Sequence, residues 1–217
     1  MVQIAPSMLS ADFLHLEKDV RMVNENADLF HLDIMDGTFV PNISYGFPVV
    51  EAIAKKAEKP LDAHLMIINP DKYVERFAAA GVKMLSFHYD AVEDPAYVIE
   101  MIRANGMMPG IAINPDIPVE KLFPYISSCG FMLIMSVFAG FGGQKFIETT
   151  YSRIRTLKDE IIRQGAECLI EVDGGVSPAN ASALADAGAD ILVAGSAVFK
   201  AADPSAVISA MKQDQII

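Results

Sequence analysis

Histidine and acidic residues recur at every second position in several apolar runs of this 217-residue chain. The stretch HLDIMDG places His31 and Asp33 two residues apart, and DAHLM places Asp62 and His64 in the same way. Successive side chains of a β-strand point to opposite faces, so each pair shares one face of its strand. A fully buried strand is apolar on both faces. Each of these two strands therefore has one face that is either exposed to solvent or has a chemical function.

The elements that must position these side chains are short apolar runs that alternate with longer segments of helical period. Eight runs are predicted as strands: QIAPSML, LFHLDIM, LDAHLMI, MLSFHY, PGIAIN, FMLIMSV, CLIEVDG and ILVAGS. Eight consecutive βα units predict one closed (β/α)8 TIM barrel over residues 1–217. A doubly wound sheet would have fewer strands and a single dominant glycine-rich first turn, and neither is seen.

Capping residues mark the predicted helices between these strands. Four proline pairs predict helix starts: Asn69-Pro70, Asp94-Pro95, Ser177-Pro178 and Asp203-Pro204. Four glycines predict helix ends: Gly81, Gly106, Gly165 and Gly188. The segment NPDKYVERFAAAG is accordingly predicted as one complete helix.

In a TIM barrel the active site lies at the carboxyl ends of the strands. His31 and Asp33 come late in the second predicted strand, His64 late in the third, and Asp173 ends the seventh. Two imidazoles and two carboxylates at one mouth suit Zn²⁺ or another divalent transition metal. A single histidine is more often a hydrogen-bonded core residue. Four such groups on three strands favour a metal or catalytic site.

Glycine follows each of the last three predicted strands, in GFGG, DGG and GS. Loops at this end of such barrels commonly bind phosphate, because glycine lets backbone N–H groups approach the phosphate oxygens. Turns require glycine for other reasons as well. Three such loops in succession nevertheless predict a phosphate site.

Composition narrows the class of protein. A net charge of −11 disfavours nucleic acid and anionic membranes as partners, and 52% hydrophobic residues allow a large core. Cys129 and Cys168 have no metal-ligand or disulfide spacing and are predicted to be buried thiols of a reducing cytosol. No signal peptide or membrane span is indicated. We expect a cytoplasmic protein that forms a homo-oligomer.

The motifs HLDIMDGTFVPN, HLMI, GFGGQKF, EVDGG and AGS, with IAPSMLSADF at the start, resemble the ribulose-phosphate 3-epimerase family. The match runs in order over almost the whole chain. It implies a ribulose-phosphate binding barrel and epimerisation of D-ribulose 5-phosphate to D-xylulose 5-phosphate, a step of pentose phosphate metabolism. The resemblance also implies a divalent metal ion: Zn²⁺, Fe²⁺, Mn²⁺ or Co²⁺.

The resemblance assigns roles to individual residues. Metal ligands are implied at His31, Asp33, His64 and Asp173, with Asp33 as proton acceptor and Asp173 as proton donor. Contacts to the substrate are implied at Ser7, His64, Gly140, Phe141, Gly142, Gly143, Asp173, Gly174, Gly175, Gly195 and Ser196. Inverting a carbon next to a ketone requires proton removal on one face and return on the other, which fits two carboxylates on different strands.

Three methionines and Asp36 have their own expected roles. Met35, Met66 and Met135 match apolar residues around the reacting centre, although core packing alone would explain them. Asp36 is predicted to stabilise the turn at Gly37.

Three further positions are expected to act around the site. His88 is expected to support it, and Glu171 to be a buried, paired carboxylate. Phe138-Ala139 replaces the family's proline before GFGG, which predicts a looser or differently shaped loop.

Three alternative functions share parts of this pattern. An epimerase for a hexulose phosphate such as D-allulose 6-phosphate would use the same ligands. A barrel that binds a sugar phosphate without turnover would lack an acid or a ligand, and none is lost. A related decarboxylase would carry a lysine on the second strand, and none is present there.

Overall fold

A computed structural model describes residues 1–213 of the chain, so the last four residues of the predicted domain lie outside the described range. Eight parallel strands form the sheet: β1 (Gln3–Pro6), β2 (Phe30–Met35), β3 (Leu61–Met66), β4 (Met84–His88), β5 (Met108–Ile113), β6 (Phe131–Met135), β7 (Leu169–Asp173) and β8 (Ile191–Ala194). From β2 to β8, strands that are neighbours in sequence pair in the sheet, and β1 pairs with β8. A parallel bridge between Ser7 and His31 joins β1 to β2. The predicted (β/α)8 barrel is thereby confirmed.

Helices alternate with the strands and cover the outside of the barrel. They are α1 (Leu16–Asn26), α2 (Phe47–Ala54), α3 (Val74–Ala79), α4 (Pro95–Ala104), α5 (Thr150–Gln164), α6 (Pro178–Ala187), α7 (Ser196–Phe199) and α8 (Pro204–Gln213). The connection from β5 to β6 is instead a 3₁₀ segment, Val119–Ser128, with Pro124 inside it. Proline removes a backbone donor, which disfavours a regular α-helix there. None of the helices described is long and apolar enough to cross a membrane.

Most predicted helix boundaries are confirmed. The Asp94 side chain accepts from the Tyr97 N–H at 3.2 Å, and Asp203 accepts from the Ala206 N–H at 3.0 Å. The prediction of one complete helix after Asn69 was wrong. Asn69 has a left-handed backbone (φ 51°) and does not cap, and a 3₁₀ turn over Pro70–Tyr73 precedes α3. The Ile68 N–H, next to Asn69, donates to the Asp36 carboxylate instead, which ties this loop to β2.

The interior of the barrel has an apolar layer near the amino ends of the strands and polar side chains above that layer. Near the amino ends of the strands, Phe131 fills the barrel, and a Cβ on Gly110 would lie 2.4 Å from its ring. Above this layer, β2, β3, β4 and β7 contribute buried polar side chains, whereas β1, β5, β6 and β8 contribute mainly small or apolar ones. Because β7 lies across the barrel from β2, β3 and β4, these polar residues face one another at the level where the predicted site residues lie.

Both cysteines are buried free thiols, as the sequence predicted. Burial raises the pKa of the Cys168 thiol to about 12, so it stays protonated at neutral pH and is a poor nucleophile.

Candidate active site

The four predicted metal ligands come together at the carboxyl ends of the strands. Asp33 Oδ1 lies 3.4 Å from His31 Nε2 and 3.3 Å from His64 Nδ1. Asp173 Oδ2 lies 4.0 Å from His64 Nδ1. One ligand atom from each residue lies within 4.8 Å of all the others. The register of β2 and β3 makes Asp33 and His64 direct neighbours, and β7 brings Asp173 from across the barrel.

These residues fit a divalent metal. His31 Nε2 and His64 Nδ1 are buried, and neither has a hydrogen-bond partner among the described residues. The second nitrogen of each ring does have a partner: His31 Nδ1 lies 2.5 Å from Asp62, and His64 Nε2 lies 2.9 Å from His88. A metal-binding histidine typically presents one free nitrogen to the ion and donates from the other. Two imidazoles and two carboxylates form a donor set suited to zinc, iron, manganese or cobalt.

Without a metal, the pKa values of the two carboxyl groups of the cluster are shifted in opposite directions. Burial works against ionisation of Asp33, but the charges and hydrogen bonds of His31 and His64 hold the pKa of that carboxyl well below its usual range. The Ser7 hydroxyl also donates to Asp33, at 2.5 Å. Burial, reinforced by the negative charge of Asp33, raises the pKa of Asp173 to about 6. Asp33 is therefore ionised at neutral pH, and Asp173 is the carboxyl that can hold a proton.

A second acidic group lies below the cluster, on the inward face of β3 and β7. Glu171 is fully buried, and its Oε1 lies 3.4 Å from His31 Nδ1. Burial and the neighbouring charge of Asp62 raise the pKa of Glu171 well above its usual range. Against the cost of burial, Asp33 and Asp62 raise the pKa of His31 well above the ordinary value. Metal binding at His31 must therefore displace a proton.

The open side of the cluster is the floor of a cavity of about 400 Å³. Its lining includes the predicted residues Ser7, Asp33, Met35, Met66, Met135, Gly140, Phe141, Gly142, Gly143, Asp173, Gly174, Gly175, Gly195 and Ser196. His31 and His64 lie behind Asp33 rather than on the cavity wall, and both are fully buried. The three methionines therefore face the cavity as well as the core.

Glycine is required where the loop after β7 packs against the loop after β6 and lines this cavity. A Cβ on Gly174 would lie 2.5 Å from Val137, and one on Gly175 would lie 2.9 Å from the Phe146 nitrogen. Both glycines have positive φ, at 116° and 62°. Any other residue would strain the backbone and push these loops apart.

Amide side chains hold the loop that follows β6. Asn42 Nδ2 donates to the Gly140 carbonyl at 2.9 Å, and the Ala139 N–H donates to Asn114 Oδ1 at 3.0 Å. Gln144 donates to two carbonyls within the loop itself. These contacts restrain the loop, and its looser or different shape relative to the family stays a prediction.

The cavity also contains residues that the sequence reasoning missed. Ser10, Ser177 and Lys200 line it, and Lys200 is the only cationic residue of the described lining. The signal for Lys200 was its position four residues after Ser196, because residues four apart share a helix face.

Asp36 stabilises the turn after β2, as predicted. It accepts from the Thr38 and Phe39 N–H groups at 2.8 and 2.9 Å.

Known proteins place the chain in a family. Residues 3–199 match the model of the ribulose-phosphate 3 epimerase family. The cytoplasmic isoform of ribulose-phosphate 3-epimerase from Oryza sativa subsp. japonica is 43% identical over 97% of this chain and 93% of its own length. Ribulose-phosphate 3-epimerase from Bacillus subtilis (strain 168) is 42% identical over 98% of this chain and 99% of its own length.

Solved structures with far lower identity share the fold. 3-Hexulose-6-phosphate synthase from Salmonella typhimurium superposes with a TM-score of 0.73 at 17% identity, covering 99% of this chain and 98% of its own. Orotidine 5'-phosphate decarboxylase from Pyrococcus horikoshii OT3 gives 0.71 at 13% identity, covering 98% of each chain. These likenesses support the barrel alone, whereas the sequence matches decide the family. The chain belongs to the ribulose-phosphate 3-epimerase family of enzymes.

Proposed function

We propose that this protein interconverts D-ribulose 5-phosphate and D-xylulose 5-phosphate by moving a proton at carbon 3. The observation that carries the proposal is the pair Asp33 and Asp173 on the floor of one cavity, with pKa values shifted in opposite directions. Pairs of carboxyl groups whose environments separate their proton affinities are typical of acid–base catalysis. Membership in the epimerase family supports the same reaction class.

The two carboxyls would serve opposite faces of the sugar. Asp33 is on β2 and Asp173 is on β7, so they approach the cavity from different sides of the barrel. In the direction from ribulose to xylulose, Asp33 takes the proton from carbon 3, which leaves an enediolate. Asp173 then returns a proton to the other face of the same carbon. The exchange restores a neutral ketone with inverted configuration, and each carboxyl ends in the protonation state in which the other began.

His31, Asp33, His64 and Asp173 would hold the divalent ion, which in the family's chemistry is Zn²⁺, Fe²⁺, Mn²⁺ or Co²⁺. When bound, the ion supplies positive charge close to the oxygens on which negative charge develops. Ser7 donates to Asp33 Oδ2, which orients this carboxylate and leaves Oδ1 directed toward the two histidines.

The remaining cavity residues would bind the substrate and exclude water. We assign the phosphate group to the backbone of Gly174-Gly175 and Gly195-Ser196, with Lys200 as the neighbouring cation. Met35, Met66 and Met135 would form an apolar wall around carbon 3. A cytoplasmic location, a place in pentose phosphate metabolism and homo-oligomer assembly remain predictions of the sequence.

A hexulose phosphate epimerase is the second candidate, because the same residues could act on a longer sugar in a cavity of this size. Parallel assays on D-ribulose 5-phosphate and D-allulose 6-phosphate separate the two candidates. We expect a higher kcat/KM for the pentulose. Turnover of the hexulose alone would reassign the substrate, and turnover of neither by metal-loaded protein would leave a binding protein.

Variants test the two carboxyl groups. Asp33→Asn and Asp173→Asn should each lower kcat by at least about a hundredfold, because each removes a proton-transferring group. Asp159→Asn, a change at an exposed carboxylate on α5, is the matched control and should keep full activity. Near-normal turnover by either site variant would contradict the two-base mechanism.

A further inference from the structure

We propose that Asp62 and His88 are positioning residues, which determine the nitrogen that His31 and His64 each present to the metal. This inference rests on the proposed metal site and deepens it. Neither residue lines the cavity described above, so neither is placed to touch a substrate.

The acceptor closest to the His31 ring lies at Nδ1. Asp62 is the register neighbour of His31 on β3, and its Oδ2 lies 2.5 Å from His31 Nδ1 with both side chains fully buried. A carboxylate accepts hydrogen bonds, so this contact places the ring hydrogen on Nδ1. Once a metal displaces the proton from His31 Nε2, that nitrogen directs a lone pair at the ligand cluster, where Asp33 Oδ1 lies 3.4 Å away.

Glu171 lies on the same side of the His31 ring as Asp62. It shares the inward face of β7 with Asp173, and its Oε1 lies 3.4 Å from the same His31 Nδ1. Two buried carboxyl groups, Asp62 on β3 and Glu171 on β7, therefore face His31 Nδ1. The other nitrogen, Nε2, faces Asp33, which is itself a predicted metal ligand. This contact gives Glu171, whose role the sequence left open, a place behind His31.

His64 is oriented in a different way. Its Nε2 lies 2.9 Å from His88 Nε2, and the two rings stack at 5.0 Å between centroids. Two nitrogens at this distance share one hydrogen. When His64 donates it, His64 Nδ1 is free for the ligand cluster, and His88 Nε2 is the acceptor.

The two positioning contacts differ in strength. Asp62 offers a carboxylate, whereas His88 offers a neutral imidazole, and hydrogen bonds to charged groups are about twice as strong. His88 is also loosely held from behind, because its Nδ1 lies 3.9 Å from Asp90 Oδ1, beyond hydrogen-bond length. Loss of Asp62 should therefore weaken metal binding more than loss of His88.

Zinc affinity measures these effects directly, by competition with a chromophoric chelator. Partners behind metal ligands are typically worth about 10- to 100-fold in affinity. We expect a loss in this range for Asp62→Asn and a smaller loss for His88→Phe, with folding checked by circular dichroism. Asp90→Asn, which alters a half-exposed carboxylate out of hydrogen-bond reach, is the control and should bind zinc as the wild type does. Unchanged affinity in folded Asp62→Asn would overturn the positioning role.

A second measurement needs no variant. Two-bond ¹H–¹⁵N correlations in the zinc-loaded wild-type protein report which nitrogen of each histidine carries hydrogen. We expect hydrogen on Nδ1 of His31 and on Nε2 of His64, and the opposite form at either ring would overturn the proposal. A wild-type protein that binds no zinc, iron, manganese or cobalt would contradict the metal site itself. Normal metal binding with the opposite tautomers would contradict only the positioning roles of Asp62 and His88.

Discussion

Replacing Asp173 by asparagine should stabilise the metal-free protein while it removes activity. The Asp173 side chain is only 17% exposed, and burial together with the Asp33 charge raises its pKa to about 6 from an ordinary 3.8. Between pH 3.8 and about 6, Asp173 is therefore mostly protonated in the folded protein and mostly ionised in the unfolded chain. Ionising this carboxyl inside the fold costs stability, and asparagine avoids that cost.

The magnitude follows from the two pKa values. Their difference is about 2, and each pKa unit corresponds to about 1.36 kcal/mol, so the full effect is about 3 kcal/mol. Because the folded-state pKa is the higher one, the cost is absent below pH 3.8, grows through the interval up to about 6, and is complete above it. Asp173→Asn should accordingly be about 3 kcal/mol more stable than the wild type at pH 8 and nearly equal to it at pH 4.

Urea unfolding in the presence of a metal chelator provides the assay, at several values between pH 4 and pH 8. Asp33→Asn is the matched control, because the pKa of Asp33 is lowered in the fold. Its ionised form contributes stability that is present above the ordinary pKa of 3.8, so this variant should be less stable than the wild type at pH 8. The two isosteric substitutions should therefore change the free energy of unfolding at pH 8 in opposite directions, although both residues lie in one site.

A destabilised Asp173→Asn protein at pH 8, without metal, would refute the reasoning. So would a stability difference between Asp173→Asn and the wild type that does not change with pH. Either result would mean that burial does not raise the proton affinity of Asp173 in the folded protein.

Three more variants test other parts of the structure. Lys200→Gln removes the only cation of the described cavity lining and should raise KM about fivefold at low salt, for a loss of about 1 kcal/mol, with kcat unchanged in steady-state assays. Arg153→Met leaves three backbone carbonyls, one at the end of β6 and two in the loop after β5, without the Arg153 donor and should destabilise the fold by about 2–3 kcal/mol in urea unfolding. Gly175→Ala imposes a side chain at φ 62°, 2.9 Å from the Phe146 nitrogen, and should cost at least about 1–2 kcal/mol by the same measurement, with a raised KM.

Much of the fold and the ligand cluster could be predicted because both depend on short-range patterns. Alternation along a strand puts His31 and Asp33 on one face whatever the rest of the chain does. The barrel rule then places the carboxyl ends of all strands together, which brings Asp173 to the same mouth. Neither step requires knowledge of a long-range contact.

The remaining features depend on register and on contacts between distant loops. Alternation alone does not state that Asp62 is the neighbour of His31, since that requires the alignment of β2 with β3. The contact of Glu171 with His31 crosses the barrel and leaves no trace in local spacing. The wrongly predicted helix start at Asn69 has a similar origin, because the contact between Asp36 and the Ile68 N–H joins residues 32 positions apart.

Deuterium incorporation tests the proposed reaction most directly. Metal-loaded wild-type protein is incubated with D-ribulose 5-phosphate in D₂O, and carbon 3 is followed by NMR. Proton removal by one carboxyl and return by another predicts D-xylulose 5-phosphate that carries deuterium at carbon 3. Product without deuterium at carbon 3 would contradict proton exchange at the two carboxyls, and the absence of both product and exchange would contradict the epimerase proposal.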